Sequence, residues 1–92
     1  MPTINIPSLL LNLTDGVAEV ELEAKNIRQV INQLEKKFPG IEDRLCDDEG
    51  RVRPNIGVCI DGVMVRRSPL TEVSPTSQMH FLPAVSSGIR NS

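Results

Sequence analysis

The sequence predicts an α+β fold: a mixed sheet of four to five strands with one main helix packed on one face, in the order β-β-α-β-β-β. Three observations lead there. Short segments towards both ends of the chain alternate apolar and polar residues with the period of two that marks half-buried strands. One central segment carries apolar residues at helical spacing. An Asp61-Gly62 pair between apolar runs is the signal of a two-residue hairpin.

The first strand is expected over Thr3 to Ser8, where Ile4 and Ile6 share a face. Leu9-Leu10-Leu11 extends the apolar run into a loop, and Thr14-Asp15-Gly16 marks a turn. Val17 to Glu23 then alternates strictly, with Val20 and Leu22 on one side and Glu19, Glu21 and Glu23 on the other, as the partner strand of a hairpin. Asn26 is the expected helix N-cap, with Gln29 three residues on completing a capping box. Ile27, Val30, Ile31, Leu34 and Phe38 form the apolar stripe, Lys36 and Lys37 suit the negative end of the helix dipole, and Pro39-Gly40 stops the helix. Ile41 to Leu45 adds one short turn, and Cys46 to Pro54 is a charged loop. Ile56 to Ile60 and Val63 to Val65 flank the hairpin turn, a connection over Arg66 to Ser77 follows, and Gln78 to Pro83 closes the sheet. The expected covered face takes Ile4, Ile6, Val20, Leu22, Val58, Ile60, Met79 and Phe81. The opposite face is left to solvent or a partner.

Bulk properties narrow the function classes. The 92 residues make one domain, whose core is small because such a chain buries roughly 60–65% of its extended surface. Phe38 and Phe81 are the only aromatic residues and the formal charge is −2, so neither base stacking nor a phosphate footprint is available for nucleic acid. No apolar run approaches the roughly 18 residues of a membrane span. The opening Met1-Pro2-Thr3-Ile4-Asn5 lacks the basic and apolar regions of a signal peptide, which makes a cytoplasmic location the expectation.

Few residues suggest chemistry of their own. Cys46 and Cys59, thirteen positions apart, match no metal or redox spacing. Cys46 is read as an inert loop thiol rather than a sulfur relay. Cys59 shares the outward parity of its strand with no basic neighbour in sequence to activate it, so it is read as a solvent-facing or interface thiol. His80, the one histidine, has no orienting partner nearby in sequence and is read as a contact residue on the uncovered face beside Leu82. Asp47-Asp48-Glu49-Gly50 lacks the alternating oxygen ligands of a calcium loop and reads as a solvated turn. Arg51, Arg53, Arg66 and Arg67 are candidates for a basic rim. Leu82, Pro83, Ala84 and Val85 are apolar where the last strand leaves the sheet, as interaction sites often are. Ser86-Ser87-Gly88 then forms a thin tail, and Ile89-Arg90-Asn91-Ser92 follows it.

The element order is that of the β-grasp, or ubiquitin-like, fold. The stretch PNIGVCIDGVMVRRSPLTEVSPTSQMHFLPAVSSG resembles the small sulfur carriers of the thiamine and molybdopterin pathways, and most of all the carrier type used in cysteine synthesis. The likeness runs from residue 3 to residue 88. It implies a β-grasp domain over residues 1–85, a flexible tail over 86–92, and a protein that is a co-substrate rather than an enzyme. In such carriers an ATP-dependent adenylating enzyme activates the C-terminal glycine carboxylate, and sulfur displaces AMP to leave a thiocarboxylate. The carrier itself binds no cofactor; ATP belongs to the activating enzyme. A sulfur-accepting synthase is the second implied partner.

The chain departs from that pattern at its end. The family closes on Gly-Gly, whereas Ser87-Gly88 stands here with four residues after it. Two readings follow. A metalloprotease removes residues 89–92 and exposes Gly88 as the thiocarboxylate site, with Ser86, Ser87, Val85, Ala84, Pro83, Leu82, His80 and Cys59 contacting partners. Alternatively, the chain is a β-grasp interaction module that has lost carrier chemistry and binds through the face around His80 and Leu82.

Overall fold

The computed structural model describes residues 1–66 and 68–83. Its strands are β1 (Thr3–Asn5), β2 (Glu19–Glu21), β3 (Ile56–Ile60), β4 (Val63–Val65) and β5 (Gln78–Pro83). They form one five-stranded sheet in the order β2-β1-β5-β3-β4, with β1 and β5 parallel and every other pair antiparallel. The expected class, element order and hairpins are therefore present, and the last strand lies at the centre of the sheet between β1 and β3.

Helix α1 (Ile27–Lys37) begins where the sequence places it. The Asn26 side chain accepts from the Gln29 N–H at 2.9 Å. The Gln29 side chain reaches back to the Lys25 N–H at 2.8 Å, one residue before the cap. The next free donors are met by the long connection: Ile27 N–H donates to Thr71 O and Arg28 N–H to Pro69 O. The first turn of the helix thus has partners for the amides that helix geometry leaves over. At the other end Gly40 sits at φ 100, a left-handed conformation suited to glycine, and α2 (Ile41–Leu45) follows. The Glu35 carboxylate accepts from the N–H groups of Gly40 and Glu42, tying the end of α1 to the start of α2. These bonds to the charged form hold the Glu35 pKa below its usual value.

Helix α1 buries Ile27, Val30, Ile31 and Leu34 in a core shared with Ile4, Ile6, Leu22, Val58, Met79 and Phe81 of the sheet side. The sheet register explains the set: Ile4 pairs with both Val20 and Met79, and Val58 pairs with Phe81, so these side chains lie in rows on one face.

Several expectations are corrected. Leu9-Leu10-Leu11 is not loop but part of a 3-10 helix over Ser8–Leu13, which buries Leu10. Pro7 caps that turn and carries no N–H with which β1 could continue. For the same reason the second strand is shorter than its alternation suggests; beyond Glu19–Glu21 only single bonds persist, from Ile6 N–H to Ala18 O and from Leu22 N–H to Pro2 O. Val20 and Ile60 are half-buried rather than core, because they lie towards the two edges of the sheet. The charged loop also contributes to the core: Cys46 and Val52 pair across it and both are buried. Val73, in the connection, is buried as well, with its N–H donated to Lys25 O.

Candidate functional site

The alternation of β5 decides what the uncovered face offers. Met79 and Phe81 point into the core, so His80 and Leu82 point away from it. Register then builds a row across the sheet from Glu19 through Asn5, His80 and Cys59 to Met64. Leu82 stands beside Gly57 in the next row.

Gly57 is buried although it lies on the open face. The methyl of Met64 covers it: a Cβ at residue 57 would meet Met64 Cε at 2.8 Å. The glycine therefore makes a hollow that accepts Met64. Met64 remains 61% exposed and Leu82 41% exposed, giving an apolar patch with Gly57 as its floor. Below the end of β5 a cleft of about 170 Å³ opens between the 3-10 helix and the sheet, lined by Pro7, Leu9, Leu10, Ile56 and Leu82, with Arg44 at its rim.

His80 is held by hydrogen bonding within this face. Asn5 Nδ2 donates to Met79 O at 3.2 Å and lies 3.4 Å from His80 Nε2. Sequence reasoning found no neighbour for His80; the parallel β1–β5 register supplies Asn5, 75 positions away in the chain. The same register sets Cys59 directly opposite His80. Among the described residues no carboxylate bonds to His80 and no hydrogen bond joins it to Cys59, so the row presents contacts rather than a nucleophile and base.

The other cysteine is placed as inert. Cys46 is free and buried, and burial, helped by the nearby Glu42 carboxylate, pushes its thiol up to about 11. It stays protonated at neutral pH, which removes the sulfur-relay reading. Asp47 is occupied by the turn it closes, accepting from Glu49 N–H and Arg51 N–H; these bonds lower its pKa. No group of carboxylate, histidine and cysteine side chains suited to a metal ion occurs among the described residues. The expected basic rim is partly dispersed: Arg51 pairs with Asp47 and Glu49, and Arg53 donates to Asp43 O.

Of the sequence-predicted contact residues, the structure brings together Cys59, His80 and Leu82 on one face. Met64 and Gly57, which sequence reasoning passed over, belong with them. Pro83 pairs with Ile56 at the end of β5. Ala84, Val85, Ser86, Ser87 and Gly88, like Arg67 of the rim, lie outside the described residues. No described helix is long and apolar enough to cross a membrane.

Comparison with known proteins places the fold in a family. The curated sulfur carrier protein CysO of Mycobacterium tuberculosis is 29% identical over 90 residues, which cover 94% of this chain and 97% of the relative. The crystal structure of M. tuberculosis CysO superposes with a TM-score of 0.83 at 28% identity, over 92% of this chain and 100% of that one. A chain of the Amycolatopsis orientalis BexX/CysO complex matches at a TM-score of 0.84 and 30% identity, over 96% of this chain and 100% of that one. Haloferax volcanii SAMP1, at 17% identity and a TM-score of 0.71 over 95% and 98% of the two chains, shares the fold. The ThiS family pattern matches residues 6–88, from just after β1 to Gly88. The chain belongs to the ThiS family of ubiquitin-like sulfur carriers.

Proposed function

We propose that this chain carries sulfur as a thiocarboxylate on Gly88, exposed by removal of residues 89–92, and delivers it in cysteine or cofactor biosynthesis. The observation that carries the reading is the extent of the family match, which ends on Gly88 itself. The chemistry needs a free carboxylate there. That carboxylate attacks the α-phosphorus of ATP in an adenylating partner, pyrophosphate leaves, and an acyl adenylate forms. A sulfur nucleophile then attacks the acyl carbon and AMP departs, leaving the thiocarboxylate. The carrier binds no cofactor of its own; ATP is held by the partner, and a cytoplasmic location goes with that supply. A metalloprotease provides the trimming step.

The open face supplies docking. Leu82 and Met64 are apolar and exposed, Gly57 and Cys59 lie between them on β3, and His80 stands beside Cys59 in the same row as Met64. This patch suits an adenylating enzyme and a sulfur-accepting synthase in turn, with Pro83, Ala84, Val85, Ser86 and Ser87 entering the partner ahead of Gly88. The structure of a CysO with BexX is a precedent for a carrier of this kind held in a complex. The role is that of a protein co-substrate.

Intact mass of the chain isolated from its native host tests the proposal. A species ending at Gly88, heavier by the exchange of one oxygen for sulfur, is the expected result. A chain that stays full length to Ser92 while its host is making sulfur metabolites overturns it.

A further inference from the structure

The cleft at the end of β5 combines an apolar lining with an unpaired cation. Leu9, on the 3-10 helix, is 75% exposed although it lines the cleft with Leu10, Ile56 and Leu82. The volume of about 170 Å³ suits one small apolar group, since a cavity of roughly 150 Å³ lined by aliphatic and aromatic side chains holds benzene. At the rim, the Arg44 side chain makes no hydrogen bond or ion pair among the described residues. The neighbouring arginines are engaged: Arg28 lies by Glu42, Arg51 pairs with Asp47 and Glu49, and Arg53 donates to Asp43 O. An apolar seat with a free guanidinium beside it fits an apolar side chain followed by a carboxylate.

The chain leaves the sheet beside this cleft. Pro83, the last residue of β5, pairs with Ile56, which lines the cleft. Phe81 faces the core and lines the cleft as well. Side chains alternate along a strand, so continuing the parity of Phe81 through residue 83 leads to Val85. Gly88 lies three positions further on, at most roughly 11 Å away.

We infer that Val85 of the same chain seats in this cleft and that, once Gly88 is the C-terminus, its carboxylate pairs with Arg44. The carboxylate half of the inference rests on the proposed trimming to Gly88; the seating of Val85 does not. The tether favours this occupant over a separate molecule, because a short linker holds its end at an effective concentration in the millimolar range. The ion pair is exposed and therefore weak, so an incoming partner can empty the seat. Between encounters the tail lies against the domain with its carboxylate on Arg44. An adenylating partner that takes the tail must displace both contacts before Gly88 can react.

NMR of the full chain to Ser92 and of the chain ending at Gly88, with labelled methyl groups and a labelled Gly88 carboxyl carbon, tests it. Contacts from the Val85 methyls to those of Leu9 and Leu10 are expected in both forms. In the trimmed form the Gly88 carboxyl should titrate about 0.2–0.7 of a pH unit lower than in the same form carrying Arg44→Gln. Leu9→Gln removes one apolar wall from an exposed position. It should weaken the Val85–Leu10 contacts at least twofold while the remaining amide spectrum stays native. Absence of Val85 contacts in either form, a carboxyl midpoint indifferent to Arg44→Gln, or contacts unchanged by Leu9→Gln overturns the inference. So do cleft methyls that shift only when an adenylating enzyme is added, since the occupant would then be the partner. These readouts need neither trimming in the host nor thiocarboxylate formation, so their failure is distinct from a failure of the carrier reading in the mass measurement.

Discussion

Asp61, at the tip of the β3–β4 hairpin, completes the ladder to Gln78 with its side chain. Its N–H donates to Gln78 O at 2.8 Å, and its Oδ1 accepts from Gln78 N–H at 2.9 Å, where a backbone carbonyl would ordinarily serve. Oδ2 accepts from the hydroxyl of Ser77, which is buried and in contact with the Ser74 hydroxyl. One residue thus shapes the turn, at φ 53, and sets where the central strand begins.

Asp61→Ala is expected to lower stability by about 1–3 kcal/mol, since it strands the Gln78 N–H and Ser77 hydroxyl and keeps the left-handed backbone. Asp61→Gly relieves the backbone and should recover part of the loss. Urea unfolding of both variants measures the two contributions, and an unchanged Asp61→Ala midpoint would show that the carboxylate does not hold the strand.

Cys46 predicts an alkaline weakness. Its folded pKa of about 11 exceeds the ordinary thiol value of 9.0, so the folded state holds its proton more tightly. This contribution is intact below pH 9.0 and is lost as pH rises towards 11, at up to about 1.4 kcal/mol per pH unit. Unfolding followed from pH 8 to 11 in the wild type and in Cys46→Ala should show the slope only in the former. Iodoacetamide should label Cys59 in the native chain and reach Cys46 only after unfolding.

Glu35 works in the opposite direction. Its carboxylate gains amide donors on folding and its pKa falls below the model-peptide value of 4.5. The stabilisation is present above that value and disappears as pH falls through the lowered pKa. Glu35→Gln should therefore narrow the stability difference between pH 6 and pH 3. Equal acid sensitivity in the two proteins would argue that the link between α1 and α2 is idle.

Asn26→Ala is expected to cost about 1 kcal/mol in urea unfolding. The loss should be no larger, because Ile27 and Arg28 keep their carbonyl partners in the connection.

On the open face, Leu82→Asp should leave stability within about 0.5 kcal/mol while weakening binding to an adenylating partner at least about tenfold. Calorimetry of the purified pair reads the second effect. Undiminished binding would move the docking surface elsewhere.

Local chemistry was legible in the sequence. The Asn26 cap, the aliphatic stripe from Ile27 to Phe38, the Pro39-Gly40 stop and the Asp61-Gly62 turn each depend on neighbours a few residues away, and each is found in place, whereas the Gln29 side chain bonds to the Lys25 N–H instead of closing the expected box on Asn26. Alternation also assigned Met79 and Phe81 to the core and His80 and Leu82 away from it, because the strand period of two needs no partner to be read. The family likeness, and with it the carrier role, rested on the same stretch. What the tertiary structure decided were relationships between distant segments. Asn5 meets His80, and Met64 settles over Gly57, only because β1 and β4 take particular registers against their neighbours. Cys46, Val52 and Val73 sit in charged or turn-rich sequence, yet the core needed apolar volume that one helix and short strands did not supply. Periodicity reports which way a side chain points relative to its own backbone; what lies on the other side is set by packing, and packing joins residues that the chain order separates.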